Sequence, residues 1–318
     1  MIDSEEEGEK LSAGLPEPGS YPGPNAVTLG VFDGVHLGHQ SLIQHTRRLA
    51  AEIGGRAIVL SFLEHPDALL SGSAPMPLQR AQERIRRLEA LGIDAVVRIP
   101  FNESIRTMSA AEFGERVLRQ ALGCEALVLG FDSAICHDRE GTVERFAELG
   151  FRAERSQAVT LPDGETVSSS RIRIALASGQ VERAAEMLGR AFSLTSQVLS
   201  GERRGRELGF PTANFSPSGV ALPQFGVYAV RTHIGDVWMP GVANLGVRPS
   251  FGDGLEPLLE VHVMDFQGDL YGRELEIAFL ARLRDEERFA GPTALKAQIK
   301  RDREQAKSAL AASQIPLP

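Results

Sequence analysis

Residues 27–39 read Val27-Thr28-Leu29-Gly30-Val31-Phe32-Asp33-Gly34-Val35-His36-Leu37-Gly38-His39. The apolar run at the start of this stretch predicts a buried strand, and apolar residues at helical spacing after it predict a helix. Glycines at positions 30, 34 and 38 allow the backbone to approach a ligand closely. Because a helix start presents unpaired N–H groups and the positive end of its dipole to phosphate, the stretch predicts a nucleotide site.

His36 and His39 add two hydrogen-bond donors at the start of that helix. An imidazole can bond a non-bridging phosphate oxygen and stabilise the charge that develops during transfer. One alternative is a surface pair without chemistry. A zinc site is disfavoured, because no third ligand stands nearby in the sequence. The combination of a strand, three glycines, Asp33 and both histidines favours a role in nucleotide chemistry.

The flanking sequence alternates strands and helices as far as about residue 188. Strands are predicted at Ala26–Val31, Ala57–Phe62, Ala95–Ile99 and Leu127–Phe131. Helices are predicted at Gln40–Ile53, Leu78–Leu91 and Ala110–Leu122. This alternation indicates a mostly parallel, Rossmann-like α/β sheet covered on both faces. Ligands of such sheets bind at the carboxyl ends of the strands.

The pattern changes after about Gly189 to short β-rich runs separated by Gly- and Pro-bearing turns. These runs are Ala191–Leu199, Val227–His233, Val237–Val242, Leu258–Phe266 and Leu275–Leu280. They predict a small antiparallel β-barrel, with a last helix from Thr293 to about Ala311 on its outside. Since a single core rarely grows beyond roughly 250 residues, we expect two domains in this chain of 318 residues, spanning 25–188 and 189–318.

Charge and composition exclude several classes of function. Residues 1–24 carry six acids and one lysine and predict a disordered tail, while the rest has 36 acidic against 33 basic residues. Such a nearly neutral body argues against nucleic acid as a partner. There is no apolar run of the ~20 residues that cross a bilayer and no secretory leader. The only cysteines, Cys124 and Cys136, suit a reducing cytoplasm.

A second glycine-rich stretch reads Gly201-Glu202-Arg203-Arg204-Gly205-Arg206-Glu207-Leu208-Gly209-Phe210-Pro211-Thr212-Ala213-Asn214. Its glycines and arginines suit a loop folded over phosphates. The Thr212 hydroxyl and the Asn214 carbonyl suit a magnesium ion that bridges two phosphates. The alternative is a tight turn between strands with solvated arginines.

Glu260 lies in an otherwise apolar predicted strand. A carboxylate in that position can accept a proton from a hydroxyl during phosphoryl transfer. His262, two residues further on, is expected on the same face of the strand. A salt bridge at the barrel mouth is the structural alternative.

Both glycine-rich stretches resemble motifs of one family. Residues 30–39 resemble the GxFDGxHxGH signature of the nucleotidylyltransferase superfamily, in the form carried by bacterial bifunctional riboflavin kinase/FAD synthetases. Residues 201–214 resemble the riboflavin kinase motif GxxxGRxLGFPTAN, and further family features follow in order as far as Phe289. The resemblance implies phosphorylation of riboflavin to FMN by the C-terminal domain. It also implies adenylylation of FMN to FAD, with release of pyrophosphate, by the N-terminal domain. Both reactions use MgATP, and the flavin is substrate and product, not a prosthetic group.

The resemblance also implies roles for individual residues. Glu260 is implied as the base that takes the proton of the ribityl 5′-hydroxyl, and His36 and His39 as catalytic residues of adenylyl transfer. The implied ATP ligands of the adenylyltransferase are Gly30, Phe32, Asp33, Gly34, Gly38, Ser168, Ser169, Ser170 and Arg173. The implied ATP ligands of the kinase are Gly201, Gly205, Arg206, Gly209, Pro211, Thr212 and Asn214, with Mg²⁺ at Thr212 and Asn214. The flavin-binding candidates of the kinase are Asn244, Arg248 and Arg284.

One loop departs from the family pattern. Where the family usually has Gly-x-Asp/Asn-Phe-x-Phe-Gly, this chain reads Gly130-Phe131-Asp132-Ser133-Ala134-Ile135-Cys136. Asp132 remains as a candidate for the FMN site, but both aromatic residues of the pattern are absent. One alternative follows from this altered loop, a chain in which only the kinase is active. An alternative of another class is a regulator that binds flavin or nucleotide without catalysis. A base beside a metal site argues against the regulator, because a mere binder does not need one.

Overall fold

The structure is a computed structural model, and it describes residues 15–199, 209–249 and 255–318. These residues form two compact units. The first contains the described residues up to 75 together with 80–166, and the second contains 76–79 together with the described residues from 167 onward. In these ranges, no helix is both long and apolar enough to cross a membrane.

The first unit is built on a five-stranded sheet in which all neighbouring strands are parallel. The strands are β1 (Asn25–Gly30), β2 (Arg56–Phe62), β3 (Ala95–Ile99), β4 (Cys124–Leu129) and β5 (Arg152–Arg155). Their spatial order is β3-β2-β1-β4-β5. The prediction of a Rossmann-like parallel sheet is confirmed.

β1 is the central strand, with β2 on one side and β4 on the other. The chain builds the sheet outward from β1 in one direction and then in the other, so the order reverses between β1 and β4. Such a reversal opens a crevice at the carboxyl ends of the two strands. The loops 31–36 and 130–142, which follow β1 and β4, both begin at this edge.

The central strands are apolar at nearly every position because both faces of the sheet are covered. Val27 and Leu29 belong to one buried cluster. Ala26 belongs to another, together with Ile43 and Leu49 of the first helix. Alternate residues of β1 therefore supply both layers of the core.

Along the chain, the helices of this unit occur between successive strands. They are α1 (Leu37–Glu52), α2 (Asp67–Leu70), α3 (Ala81–Ala90), α4 (Glu103–Arg106), α5 (Ala110–Glu112), which continues as a π-helix (Phe113–Ala121), and α6 (Val143–Glu148). Several boundaries differ from the predictions. α1 begins at Leu37 and not at Gln40, because His36 caps it. β5 is not predicted at all, since its sequence Arg-Ala-Glu-Arg has no apolar alternation.

Residues 15–24 fall in the tail that the composition predicts to be disordered. In the structure, the Gly19 N–H donates to the Gln120 carbonyl at 2.8 Å and the Tyr21 N–H donates to the Ala121 carbonyl at 3.1 Å. Leu15 also packs against the core of the first unit. The prediction of disorder is wrong for this part of the tail, and residues 1–14 lie outside the described residues.

The second unit contains a curled antiparallel sheet of six strands. They are β6 (Phe192–Gln197), β7 (Ala213–Phe215), β8 (Gly226–Ile234), β9 (Val237–Pro249), β10 (Leu255–Val263) and β11 (Glu274–Arg284), in the order β6-β11-β8-β9-β10-β7. The Leu199 N–H donates to the Asn214 carbonyl at 2.8 Å, which links the chain after β6 to the other edge strand, β7. The predicted barrel-like antiparallel architecture is confirmed, and β7 is a strand that the sequence pattern does not predict.

The described residues of the second unit also form three helices: α7 (Ser169–Ala177), α8 (Val181–Leu188) and the C-terminal α9 (Pro292–Ala312). α9 packs on β8, β9 and β11, as predicted for the last helix, and α8 packs on β6 and β11. α7 and α8 thus group with the second sheet, whereas the predicted domain boundary lies after them, at 188/189.

Two fragments, 167–318 and 189–318, test the contribution of these helices. The shorter fragment lacks the five residues of α8 that are buried in the chain: Val181, Ala184, Ala185, Met187 and Leu188. Since burial of a large apolar side chain contributes about 1.5–3 kcal/mol, we expect the longer fragment to melt roughly 5 °C or more above the shorter one. Thermal melts followed by circular dichroism measure the difference. Equal melting temperatures would support a boundary at 189.

Candidate active sites

The loop after β1 holds a strained backbone. Phe32 and Val35 have φ angles of 55° and 43°, and Gly34 has a φ of 82°. A non-glycine residue in this left-handed region costs about 1–3 kcal/mol and persists only where its surroundings enforce it. Here the surroundings do so, because the Phe32 and Val35 side chains are buried. Since the Phe32 ring is buried, any contact of this residue with ATP has to come from its backbone.

The two predicted histidines lie against each other at the start of α1. Their rings stack with centroids 3.7 Å apart and an angle of 14° between the planes. His36 is the N-cap of α1, and its Nδ1 accepts a hydrogen bond from the His39 backbone N–H at 3.3 Å. This bond places the ring proton of neutral His36 on Nε2. The structure therefore brings the histidine pair, Asp33, Gly34 and Gly38 together where β1 runs into α1.

The charge on His39 is controlled by its surroundings. Burial is the main cause that lowers the pKa of His39, and the neighbouring His36 and Arg84 lower it further. At neutral pH His39 is therefore uncharged and carries one N–H donor. Its buried Nδ1 has no hydrogen-bond partner among the described residues. An anion bound beside the pair would favour the protonated form and reverse part of this effect.

The loop after β4, whose sequence departs from the family pattern, is held by hydrogen bonds and packing of its own. The Ser133 N–H donates to the Gly130 carbonyl at 3.1 Å. A Cβ on Gly130 would come within 2.7 Å of the Ser133 Oγ, so a larger residue there would require the Ser133 side chain to move. Ile135 and Cys136 pack against the core, and Arg155 donates to the Phe131 carbonyl at 3.2 Å. The loop is thus held by backbone bonds and aliphatic packing in place of the two missing rings, and Asp132 is exposed in it.

Residues 168–173 lie in the second unit, at the start of α7. Ser168 is the N-cap of this helix, and its hydroxyl accepts from the Arg171 N–H at 3.3 Å. Ser169 and Ser170 form the first turn. The Arg173 Nε donates to the Met76 carbonyl at 2.7 Å. The role of these residues as ATP ligands stays a prediction.

The kinase candidates meet on three adjacent strands of the second sheet. Glu260 in the middle of β10 pairs with Asn214 of β7 on one side and with Asn244 of β9 on the other. Directly opposite residues in antiparallel strands project from the same face. The neighbours of Glu260 along β10, Leu259 and Val261, are fully buried on the opposite face. The structure therefore aligns the Asn214, Glu260 and Asn244 side chains in one row.

His262 of β10 contacts the segment 209–212, which is at the C-terminal end of the predicted phosphate loop. Its Nδ1 lies 2.9 Å from the Pro211 carbonyl, which accepts the ring proton of the Nδ1–H tautomer. Burial is the main cause that lowers the pKa of His262, so the neutral ring is favoured. Thr212 follows directly on Pro211, and His262 therefore helps to fix the position of the predicted magnesium ligands.

A cavity of about 420 Å³ lies beside Thr212. Its walls are formed by β-strand residues and by the segment after β10, and the lining residues include Pro211, Thr212, Asp269, Leu270 and Tyr271. This volume lies in the range of small-molecule pockets. Glu260 does not line the cavity, whereas its neighbour Val261 does.

Two flavin-binding candidates have partners that bear on their role. The Arg284 guanidinium forms two hydrogen bonds with the Asp302 carboxylate of α9, at 3.0 and 2.8 Å. Asn244 donates to the Glu286 carboxylate at 3.1 Å, a residue that the sequence reasoning did not select. Arg284 is thus engaged in holding α9 on the sheet, and a flavin contact from it stays a prediction.

Some predicted residues cannot be placed. Gly201, Gly205 and Arg206 lie outside the described residues, as does the side chain of Arg248. Gly209 is described, with a φ of 84°, a conformation that suits glycine. The phosphate loop is therefore defined only at its C-terminal end, from Gly209 through Asn214.

Comparisons with known proteins agree with both halves. A family model described as FAD synthetase matches residues 20–171, and one described as riboflavin kinase matches residues 188–310. A bifunctional riboflavin kinase/FMN adenylyltransferase from Pseudomonas fluorescens is 40% identical over 282 residues, which are 87% of this chain and 90% of the relative. The chain belongs to the bifunctional riboflavin kinase/FMN adenylyltransferase family. The protein of that name from Escherichia coli K12 is 34% identical over 300 residues, 92% of this chain and 95% of the relative.

A solved structure shows the same fold over nearly the whole chain. It is described as a macrolide-efflux protein from Streptococcus pneumoniae, with a TM-score of 0.82, 30% identity, and coverage of 93% of this chain and 96% of that one. The bifunctional-family matches span both units, and nothing in them favours the kinase-only or the regulator alternative.

Arg84 lies beside the histidine loop, and the sequence reasoning did not select it. It is a buried charge on α3, only 8% exposed, and its side chain contacts the strand ends beside the histidine loop. One signal in the sequence is available: Arg84 is one helical turn before Leu88, at an inward position of the helix. An arginine at a helix position that is expected to be apolar indicates a buried charge.

The ion pair between Arg284 and Asp302 can be tested by Asp302→Asn. The Asp302 side chain is 3% exposed and also accepts from Gln298 at 2.8 Å. Removal of its charge leaves a half-buried guanidinium without its partner, so we expect the second unit to lose about 3 kcal/mol of unfolding free energy. Denaturant unfolding measures the loss. Glu304→Gln, an exposed acid of the same helix that pairs with Lys307, should cost less than about 1 kcal/mol. Similar values for the two variants would contradict a structural role of the pair.

Proposed function

We propose that the chain phosphorylates riboflavin at the second sheet and adenylylates the resulting FMN at the crevice of the first sheet. The observation that carries this function is that two family models, riboflavin kinase and FAD synthetase, cover the two halves in order. In each half, the side chains proposed for catalysis lie on adjacent structural elements. Incubation with riboflavin and MgATP, followed by chromatographic separation of riboflavin, FMN and FAD, tests both activities at once.

In the kinase reaction Glu260 is the proposed base. It accepts the proton of the ribityl 5′-hydroxyl while the oxygen attacks the γ-phosphorus of ATP and the bond to the β-phosphate oxygen breaks, releasing ADP. The amide side chains of Asn214 and Asn244 flank the carboxylate in the row. Asn214 is proposed as an ATP-side ligand and Asn244 as a flavin-side ligand, so the base lies between the two substrates.

Mg²⁺ is a proposed companion of ATP at Thr212 and Asn214. These residues supply a hydroxyl and an amide oxygen, the hard ligands that the ion prefers. The described residues contain no group of three or more His, Cys, Asp or Glu side chains placed to hold a metal. This agrees with an ion that takes most of its ligands from phosphates and water. When bound there, Mg²⁺ would neutralise charge on the phosphate oxygens.

In the adenylyl transfer, a phosphate oxygen of FMN attacks the α-phosphorus of ATP and pyrophosphate leaves. The attacking phosphate is already largely ionised near neutral pH, so this step needs no protein base. The need is for donors that stabilise the charge at the α-phosphate. His36 and His39 lie at the start of α1, where the helix dipole also favours an anion, and we assign them this role.

We place both reactions in the cytoplasm, where ATP is available. Cys124 and Cys136 are free thiols, as a reducing compartment requires. The substrates are small molecules, and the proposed partners include neither nucleic acid nor membrane.

Glu260→Gln tests the kinase base. The amide keeps the shape but does not accept the proton, so FMN formation should fall on the order of 10²–10⁴-fold. FAD formation from added FMN should stay normal and serves as the internal control. Glu304→Gln removes an exposed carboxylate of α9 that pairs with Lys307 and should leave both rates unchanged. Near-normal FMN formation by Glu260→Gln would make Glu260 structural.

His36→Ala and His39→Ala test the adenylyltransferase site. Each removes one donor from the transferring phosphate, worth about 2.7–4 kcal/mol by analogy with an oxyanion-hole donor. FAD formation should fall by about two orders of magnitude or more while FMN accumulates. His45→Gln, further along α1 where His45 bonds Glu154 at 2.7 Å, is the matched control and should retain activity. Parallel loss of both products in the alanine variants would count against separate sites.

A further inference from the structure

Arg84 connects the ends of two strands in the first unit. Its side chain comes from α3 and is nine-tenths buried, at 8% exposure. The guanidinium donates to the Val31 carbonyl at 2.9 Å and to the Phe62 carbonyl at 3.1 Å. Val31 is the first residue after β1 and begins the histidine loop, and Phe62 is the last residue of β2. One side chain thus fastens the start of the loop to the neighbouring strand.

The Arg84 cation is bonded to the first residue of the loop that leads to His36. After burial, His36 and Arg84 both lower the pKa of His39. The pKa of Arg84 is in turn shifted by Asp33 and by Arg98 of β3. Burial is the main cause that lowers the pKa of Arg84, while Asp33 raises it. A guanidinium nevertheless stays charged at any physiological pH. The cation is therefore permanent, and its hydrogen bonds place it at the carboxyl ends of β1 and β2.

A purely structural explanation of this cation is weak. Burying a charge is costly, and a well-packed apolar side chain is often equal or better for stability. The Arg84 Nε is buried and has no partner among the described residues. One of its two hydrogen bonds, to the Val31 carbonyl, is made at the start of a loop that carries two left-handed non-glycine residues. Such strain persists only where surrounding contacts enforce it.

We propose that Arg84 is a positioning residue for adenylyl transfer, which fastens the 31–36 loop to the ends of β1 and β2 and maintains a positive charge behind the histidine pair. The proposal rests on the adenylyltransferase function assigned to these histidines. Two consequences follow from the geometry. Without the two-carbonyl bridge, the loop and its donors are displaced from the α-phosphate. Without the charge, His39 protonates more readily before ATP binds.

The test uses three variants of the full chain: Arg84→Gln, Arg84→Lys and, as matched control, Arg86→Gln on the exposed side of the same helix. FAD formation from added FMN should fall on the order of 10²-fold in Arg84→Gln, because displacement of about 1 Å can cost that much. Arg84→Lys keeps the charge but cannot reproduce the planar fork, so it should fall between Gln and wild type. FMN formation should be unchanged in all three, and Arg86→Gln should match wild type throughout.

A second measurement does not depend on activity. The titration of His39, followed by NMR of ¹³C-labelled histidine and assigned with His39→Gln, should move to higher pH in Arg84→Gln. The reason is that a neighbouring cation has been removed. The other charged or titratable groups near this pair, His36, Asp33 and Arg98, are unchanged in the variant. Arg84→Lys and Arg86→Gln should titrate as wild type does.

The outcomes separate the proposal from the function on which it rests. A wild-type protein that makes no FAD would overturn the adenylyltransferase function, whatever the variants do. Normal FAD formation in Arg84→Gln or Arg84→Lys would overturn the fastening role, and an unchanged His39 titration in Arg84→Gln would overturn the role of the charge. If Arg84→Gln loses FMN formation as well, the activities of Arg84→Lys distinguish a positioning role from a folding role. Joint loss of both activities there would make Arg84 a folding residue.

Discussion

The pairing of β1 between β2 and β4 determines the geometry of the first unit. Because all three strands are parallel, their carboxyl ends and the loops that follow meet at one edge. The central position of β1 also buries it on both faces, and Arg84 bonds the first residue of the loop that follows it. The strained residues after Gly30 can then present a histidine pair and a helix start in one place. A loop on an edge strand would lack this support.

In the second unit, antiparallel strand pairing brings the proposed site residues together. β10 lies between β9 and the three-residue strand β7, so Glu260 has an asparagine opposite it on each side. The sheet closes toward β6 through one backbone bond between Leu199 and Asn214. The residue that completes the row is therefore also the residue that joins the sheet edges. Catalytic alignment and closure of the sheet depend on the same short strand.

Buried charges have different roles in the two units. In the second unit the Arg284 charge is neutralised by Asp302, and the pair holds α9 against β11. In the first unit Arg84 binds two neutral carbonyls, and its charge adds to burial and His36 in lowering the pKa of His39. This difference follows from the partners, since a carboxylate compensates a guanidinium and a carbonyl only accepts its protons.

The sequence by itself determined the class of each half and supplied most of the residues that we propose for each site. Alternating apolar runs identified the parallel sheet, and glycines with histidines or with Thr212 and Asn214 marked phosphate chemistry by residue type and spacing. It missed β5 and β7, because one is charged and the other is three residues long, so neither carries a periodic pattern. Only the tertiary structure placed Glu260 between two asparagines, committed Arg284 to Asp302, and brought Arg84 to the ends of β1 and β2. These contacts join residues that are 16 to 53 positions apart along the chain, from Glu260 with Asn244 to Arg84 with Val31. Local periodicity carries no information on such pairs, because strand register and helix packing decide which side chains meet.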